Sequence, residues 1–106
     1  MIISTLRIVT TPRSRVEVVR TLTAQLGATR GQSGCRKCDL YQEIDDPAAI
    51  TLVEEWESQG DLSLRVHSED YRAVLAAIER LPTQPDLAFD TVISRGGLEV
   101  IVAARA

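Results

Sequence analysis

The sequence predicts an α+β domain with the element order β-α-β-β-α-β, and three observations carry that expectation. The amino-terminal segment alternates with the period-two pattern of a strand, and two later segments carry apolar residues at helical spacing. A short Asp45-Asp46-Pro47 turn separates the two middle strand-like runs and leaves no room for a helix between them. At 106 residues with 44% hydrophobic side chains, the chain is sized for one domain. Such a domain buries roughly two-thirds of its unfolded surface, enough for a core without disulfides or metal but with little spare volume for a large enclosed site.

Ile2 to Thr10 reads as the first strand, with Ser4, Leu6, Ile8 and Thr10 on one face and Ile3, Thr5, Arg7 and Val9 on the other. Thr11-Pro12 then offers an N-cap followed by proline at the first helical position, and Ser14 with Glu17 offers a competing capping box. The helix that follows shows Val16, Val19, Leu22 and Leu26 at helical spacing and ends in a loop carrying Gly27, Gly31 and Gly34. Cys35 to Ile44 predicts a second strand and Ile50 to Glu57 a third, paired antiparallel across the short turn. Ser58 opens a short helical turn through Leu62, Leu64 and Val66. Ser68 caps a longer helix with Tyr71, Val74, Leu75, Ile78 and Leu81 on its stripe, stopped by Pro82 and Pro85. Ala88 to Ile93 predicts the fourth strand. After Gly96-Gly97, the tail Leu98 to Ala104 fits a short helix or a fifth strand, with the grouping of Leu98, Ile101 and Val102 favouring helix.

This order is the ferredoxin-like split βαβ arrangement, a four-stranded antiparallel sheet with helices on one face. The other face would hold alternate residues of all four strands, with Leu, Ile and Trp side chains expected among them. Leaving these in water costs roughly 1.5–3 kcal/mol per large side chain, so a second copy stacked on that face, a homodimer, is expected.

Charge is divided unevenly: residues 1–40 sum to +5 and residues 41–106 to −8, which returns the net −3. The amino-terminal arginines are spread along a helix and a loop without interleaved aromatics to stack bases, so nucleic acid is not an expected partner. No run approaches the ~18 consecutive apolar residues of a membrane span, and Met1 to Leu6 lacks the pattern of a signal peptide, so a cytoplasmic protein is expected. Cys35 and Cys38 spell C-x-x-C. On a regular strand, residues three apart point to opposite faces, and no second ligand pair accompanies them, so neither a metal site nor a disulfide is expected. Gly96-Gly97 is too short to cradle a phosphate and reads as a turn.

The stretch GCRKCDLYQEIDDPAAITLVEEWESQGDL (Gly34 to Leu62), with SEDYR (Ser68 to Arg72) and FDTVISRGGLEVI (Phe89 to Ile101), resembles the antibiotic biosynthesis monooxygenase family, including its quinol monooxygenase-like members. The resemblance implies a dimeric α+β barrel in which two ferredoxin-like sheets face each other, with a cavity between sheet and helices in each subunit. It also implies oxygenation of a small aromatic phenol or quinol by O2 without metal or flavin, so no cofactor is expected. Trp56 matches the tryptophan that anthrone-oxidising and haem-degrading relatives hold in their cavity. Leu52 stands where the anthrone oxygenases place an asparagine, and Arg65 stands where many relatives carry a histidine. His67 lies two residues beyond that position, which disfavours haem degradation.

Oxygenation without a cofactor needs a base, an apolar cavity that excludes water, and donors that stabilise the substrate anion. Glu54 and Trp56, two apart on one strand, leave the same face and place a carboxylate beside an aromatic wall. Glu54 or His67 is the candidate base. Tyr41, Tyr71 and Arg65 are the candidates for stabilising the oxyanion, and Trp56, Leu52, Arg65 and Tyr71 for lining a substrate site. Each has a plainer reading: Trp56 as core, Glu54 paired with an arginine, His67 solvated in a loop, Tyr71 on the buried stripe of its helix, and Arg65 and Arg72 facing solvent. The alternative function is a non-catalytic dimeric barrel that binds a small apolar metabolite.

Overall fold

Alternation in the first strand decides which side of the sheet is covered. In the computed structural model, which describes all 106 residues, β1 (Ile2–Val9) buries Ile2, Ser4, Leu6 and Ile8 beneath the helices. The chain continues through α1 (Arg15–Arg30), β2 (Cys35–Gln42), β3 (Ala49–Trp56), α2 (Gln59–Val66), α3 (Glu69–Glu79), β4 (Asp86–Thr91) and α4 (Leu98–Arg105). The sheet order is β2-β3-β1-β4 with every pair antiparallel, which is the ferredoxin-like arrangement expected from the element order. The carboxyl-terminal tail is a helix, as its apolar grouping favours. No helix is long and apolar enough to cross a membrane.

Local signals set the boundaries. Thr11 and Ser14 bond reciprocally, each backbone N–H donating to the other's hydroxyl at 3.0 and 3.1 Å, so the chain enters α1 through a Thr11–Ser14 turn, and Ser14, the N-cap, makes no side-chain bond into the helix and leaves the Ser14–Glu17 box unformed. Glu17 pairs with Arg80 of the α3 C-cap instead. Ser58 and Ser68 cap α2 and α3 by accepting from the backbone N–H groups of Asp61 and Tyr71. Gly34 is the one residue with positive φ, at 85°, and a Cβ there would lie 2.2 Å from the Asp61 carboxylate. Both the left-handed backbone and the close approach of α2 therefore require glycine at this position.

One apolar cluster fills the space between sheet and helices: Leu6, Ile8, Val18, Leu22, Cys38, Ile50, Leu52 and Val74. A smaller one, Ile2, Trp56 and Leu62, closes one end. At about 1.5–3 kcal/mol for each large side chain, these residues supply the main drive to fold. Residues of opposite charge from the two halves of the sequence meet within the chain, as Arg7 with Glu43 and Glu17 with Arg80.

Three expectations are corrected. The inward face of α1 is Val18, Leu22, Gln25 and Thr29, while Val16 is 66% exposed. The choice of Val16 followed apolar residues alone, whereas the helix is oriented by two polar side chains that the interior accommodates. Second, a β-bulge between Cys35 and Lys37 inserts one residue into β2. Cys35 then lies opposite Trp56 and Cys38 opposite Glu54, so both cysteines are on the helix-covered face and not on opposite ones. Third, the open sheet face does not expose Leu or Trp. By register it carries Ile3, Thr5, Arg7, Val9, Lys37, Asp39, Tyr41, Thr51, Val53, Glu55, Asp86, Ala88 and Asp90, a largely polar set. Leu52 and Trp56 are buried under the helices. The apolar reason for stacking a second copy on that face therefore falls away, and exposed apolar surface is concentrated elsewhere, on β4 and α4.

Candidate functional site

β3 is a central strand buried on one face by helices, and its inward positions are Ile50, Leu52, Glu54 and Trp56. Three of these, Ile50, Leu52 and Trp56, are apolar core. Glu54 is a carboxylate in the same layer, 1% exposed, and leaving it there unpaired would be prohibitive. Its partner comes from α2. Capped by Ser58, that helix turns Leu62 and Arg65 inward, three residues apart on one face.

Arg65 grips Glu54 with two parallel bonds, Nε donating to Oε1 at 3.0 Å and a terminal nitrogen to Oε2 at 3.1 Å. Its other terminal nitrogen donates to Gln25 Oε1 at 3.3 Å, and Gln25 Nε2 donates to the Asp70 carbonyl at 2.7 Å. Trp56 Nε1 donates to Glu54 Oε1 at 3.1 Å. The guanidinium also stacks over the Tyr71 ring, 5.0 Å from its centre. Burial pushes the Tyr71 hydroxyl above its ordinary pKa, with the Glu54 charge adding to the effect. Cys38, opposite Glu54 on β2, is pushed up to about 12 chiefly by burial. Every buried side-chain nitrogen and oxygen has a hydrogen-bond partner.

The structure thus brings together Glu54, Trp56, Arg65 and Tyr71, with Leu52 one inward position away on β3. Arg65 is buried, contrary to the expectation that it faces solvent, because Glu54 supplies a counter-charge from the sheet. Gln25 is absent from the sequence expectations. The available signal was its place in the 18-22-25-29 spacing of α1, where an inward amide demands a polar partner.

Two candidates lie apart from this cluster. Tyr41 is on the open face, 47% exposed, near Lys37 and Asp39. His67 is the exposed C-cap of α2, with Nδ1 2.7 Å from the Ser63 carbonyl. Arg72 faces solvent. The volume between sheet and helices beside Glu54 is filled by the cluster itself. The molecule's two surface hollows are a shallow one of about 590 Å³ on the outer side of α1 and a smaller one beside Thr10 and Pro47, and neither reaches Glu54 or Trp56.

An ion pair with fully engaged partners, a tryptophan on one side and a tyrosine on the other, is an arrangement that can hold an anion at Arg65 and accept a proton at Glu54 when the two separate. The same atoms, left together, form a closed polar core.

Solved structures similar to this one share the fold. A Deinococcus radiodurans protein assigned to the antibiotic biosynthesis monooxygenases superposes with a TM-score of 0.83 at 16% identity, covering 92% of this chain and 97% of its own. Rv0793 of Mycobacterium tuberculosis gives 0.81 at 24% identity, with 91% and 98% covered. PA3566 of Pseudomonas aeruginosa gives 0.77 at 19% identity, with 88% and 94% covered. No curated protein matches the chain. The family model for antibiotic biosynthesis monooxygenase matches residues 1–77, a span that includes β1 to β3, α2 and every residue of the buried cluster. The chain belongs to the antibiotic biosynthesis monooxygenase family.

Proposed function

We propose that this protein is a homodimeric, cytoplasmic monooxygenase that oxidises a small aromatic phenol or quinol with O2, its own side chains serving in place of a metal or flavin. The observation that carries this reading is the buried Glu54–Arg65 pair between Trp56 and Tyr71, inside the span matched to the family. Removing two charges from water costs several kcal/mol per ion, and a well-packed apolar pair would serve folding equally well. A buried carboxylate and guanidinium that folding does not require are therefore the candidate base and anion donor of the site.

In the proposed reaction the substrate enters beside Trp56 and separates the pair. Arg65 takes the phenolate oxygen, and Glu54, released from the guanidinium, accepts the phenolic proton. The electron-rich phenolate then reduces O2 directly. One oxygen atom becomes a ring carbonyl in place of a C–H bond. The other leaves as water with the phenolic and ring hydrogens, so a phenol and O2 give a quinone and H2O.

Oxygen uptake by metal-free protein with a panel of phenols and reduced quinols tests this. Glu54→Gln and Arg65→Lys are expected to lower turnover by about 100-fold or more, the scale of a lost general base or oxyanion donor. Trp56→Phe is expected to raise KM, and His67→Ala to stay within about twofold. No uptake by the native chain, or full turnover in Glu54→Gln, overturns the assignment.

The alternative, a non-catalytic barrel that binds a small apolar metabolite, is favoured by the internal pairing of the cluster: Glu54 and Arg65 engage each other and no buried polar atom lacks a partner, so neither charge is free as base or anion donor. Trp56 is the single tryptophan, so its fluorescence reports occupancy directly. Quenching by an apolar aromatic without oxygen uptake assigns the chain to this second reading.

A further inference from the structure

The Arg65 guanidinium is held from several directions, and only one of its edges faces Glu54. One terminal nitrogen donates to Gln25 Oε1, and the amide of Gln25 is itself fixed by donating to the Asp70 carbonyl. The flat face of the guanidinium lies against the Tyr71 ring. What remains is the edge formed by Nε and the second terminal nitrogen, which gives the two Glu54 oxygens parallel bonds of 3.0 and 3.1 Å. Gln25 is a buried residue of α1, and Asp70 lies in the first turn of α3, so the orientation of this edge is set by elements other than the strand that carries Glu54. Glu54 has its own anchor in the Trp56 N–H, and its cross-strand neighbours are Ser4 and Cys38, two small side chains. The carboxylate can therefore turn aside by a rotamer change while the edge stays in place.

An edge of this shape recognises two oxygens held side by side. A monophenol offers one oxygen. A 1,4-dihydroxy ring carries two on opposite sides, and only one can reach. A carboxylate and a 1,2-dihydroxy ring both offer an adjacent pair, and charge separates them. The carboxylate arrives ionised and would leave Glu54 as a second buried anion facing a single cation, an uncompensated charge in the interior. The 1,2-dihydroxy ring arrives neutral and passes one phenolic proton to Glu54, so the layer holds one anion and one cation before and after binding.

We propose that the substrate class is a catechol, a 1,2-dihydroxyarene bound through both oxygens to the Nε edge of Arg65, with Gln25 as the positioning residue that fixes that edge. This rests on the opening of the Glu54–Arg65 pair in the preceding reading and narrows its phenol or quinol to one arrangement of oxygens. In the oxygenation described there, the O–H bond of the ionised oxygen and the C–H bond para to it are broken, and that carbon becomes a carbonyl. The second oxygen atom of O2 leaves as water with the two hydrogens, so a catechol and O2 give a hydroxyquinone and H2O.

Anaerobic titration calorimetry at neutral pH with catechol, resorcinol, hydroquinone and benzoate tests the class, because the three diols differ only in the spacing of their oxygens. The native chain, Arg65→Lys and Gln25→Leu are compared, with circular dichroism to show that each folds, and the order of affinities in the native chain decides the class whether or not a variant folds. Catechol is expected to bind about 10-fold or more tightly than hydroquinone or resorcinol, the scale of one added charge-assisted hydrogen bond, and more tightly than benzoate. In Arg65→Lys, which keeps the charge but not the edge, and in Gln25→Leu, where the edge is free to turn, the preference for catechol over hydroquinone is expected to fall below about threefold. Equal affinity for the three diols in the native chain, or tighter binding of benzoate, overturns the catechol class, and oxygen uptake with hydroquinone then leaves the monooxygenase reading standing. A preference unchanged in Gln25→Leu overturns the positioning role, and one unchanged in Arg65→Lys overturns the edge. Catechol bound with the expected preference but without oxygen uptake overturns the monooxygenase reading and leaves the ligand class standing. Neither binding nor uptake with any diol overturns both.

Discussion

Removing one partner of the Glu54–Arg65 pair, and then both, separates what the pair does for folding from what it does for chemistry. In Arg65→Met, Glu54 keeps only the Trp56 N–H and loses both guanidinium bonds, while Gln25 Oε1 loses its donor and Tyr71 its stacked cation. Both side chains of the native pair are 2% exposed, so water does not replace what is lost. The expected cost is about 3–5 kcal/mol, the scale for breaking a buried pair, against about 0–1 kcal/mol for an exposed one. In Glu54→Gln the cation is stranded instead, and the cost is expected to be of similar size. Combining Arg65→Met with Glu54→Gln removes both charges, and stability is expected to return to within about 2 kcal/mol of the native chain.

Urea unfolding at 25 °C measures all four chains of this cycle. With a slope of about 1–3 kcal/mol per molar, each single substitution moves the midpoint down by roughly 1–5 M, and the double recovers most of it. A cost under about 1 kcal/mol for both single substitutions, or a double variant whose loss equals the sum of the two, refutes the claim that the charges are buried and coupled. A recovered double variant that has lost oxygen uptake is the informative result for function, because it shows a pair that folding does not need and turnover does.

Two further predictions follow from the fold. Gly34→Ala is expected to cost about 2–4 kcal/mol, combining a left-handed backbone with a Cβ placed 2.2 Å from Asp61. In an Asp61→Ala background the cost is expected to fall to the ~1 kcal/mol of the backbone alone, and an unchanged cost there rules out the clash. Cys38 is buried with its thiol pushed up to about 12 from 9.0, so its contribution is fully present below pH 9 and declines as pH rises toward 12, because the unfolded chain ionises first. Unfolding between pH 8 and 11 is expected to show a loss of at most ~1.4 kcal/mol per pH unit from this group that Cys38→Ala lacks, and identical slopes in the two chains contradict it.

What the sequence made legible is what local physics decides. The even-numbered residues of β1 face the core because a strand has period two, and the serine caps at Ser58 and Ser68 sit where their hydroxyls meet the first free N–H groups of α2 and α3. The order of elements was enough to give the sheet topology. Illegible features depend on partners distant in sequence. Arg65 is eleven residues from Glu54 and forty from Gln25, and nothing in QGDLSLRV distinguishes an inward arginine from an exposed one until β3 is laid beneath it. Gln25 and Thr29 weaken the apolar contrast of α1 so far that Val16 looked like a better core residue than either. The bulge at Arg36 shows in no residue preference, yet that one extra residue moves Cys35 onto the face of Cys38. The two cysteines are thereby part of the apolar packing around Glu54, where a regular strand would have separated them.

The buried pair and the uncovered α4 follow one constraint from opposite sides. A domain of 106 residues has a thin core, and this one gives part of its central layer to Glu54, Arg65 and Gln25, side chains whose charges and amide must be satisfied by one another. The apolar residues that would otherwise thicken that layer are not missing from the chain. They are placed in β4 and α4, where Leu87 and Phe89 stay 43% and 46% exposed and Leu98, Ile101 and Val102 55% to 79%. Deletion of α4, which buries none of its residues, should therefore leave unfolding stability within about 0.5 kcal/mol of the native chain and the energetics of the Glu54–Arg65 cycle unchanged, and a larger loss in urea unfolding contradicts it.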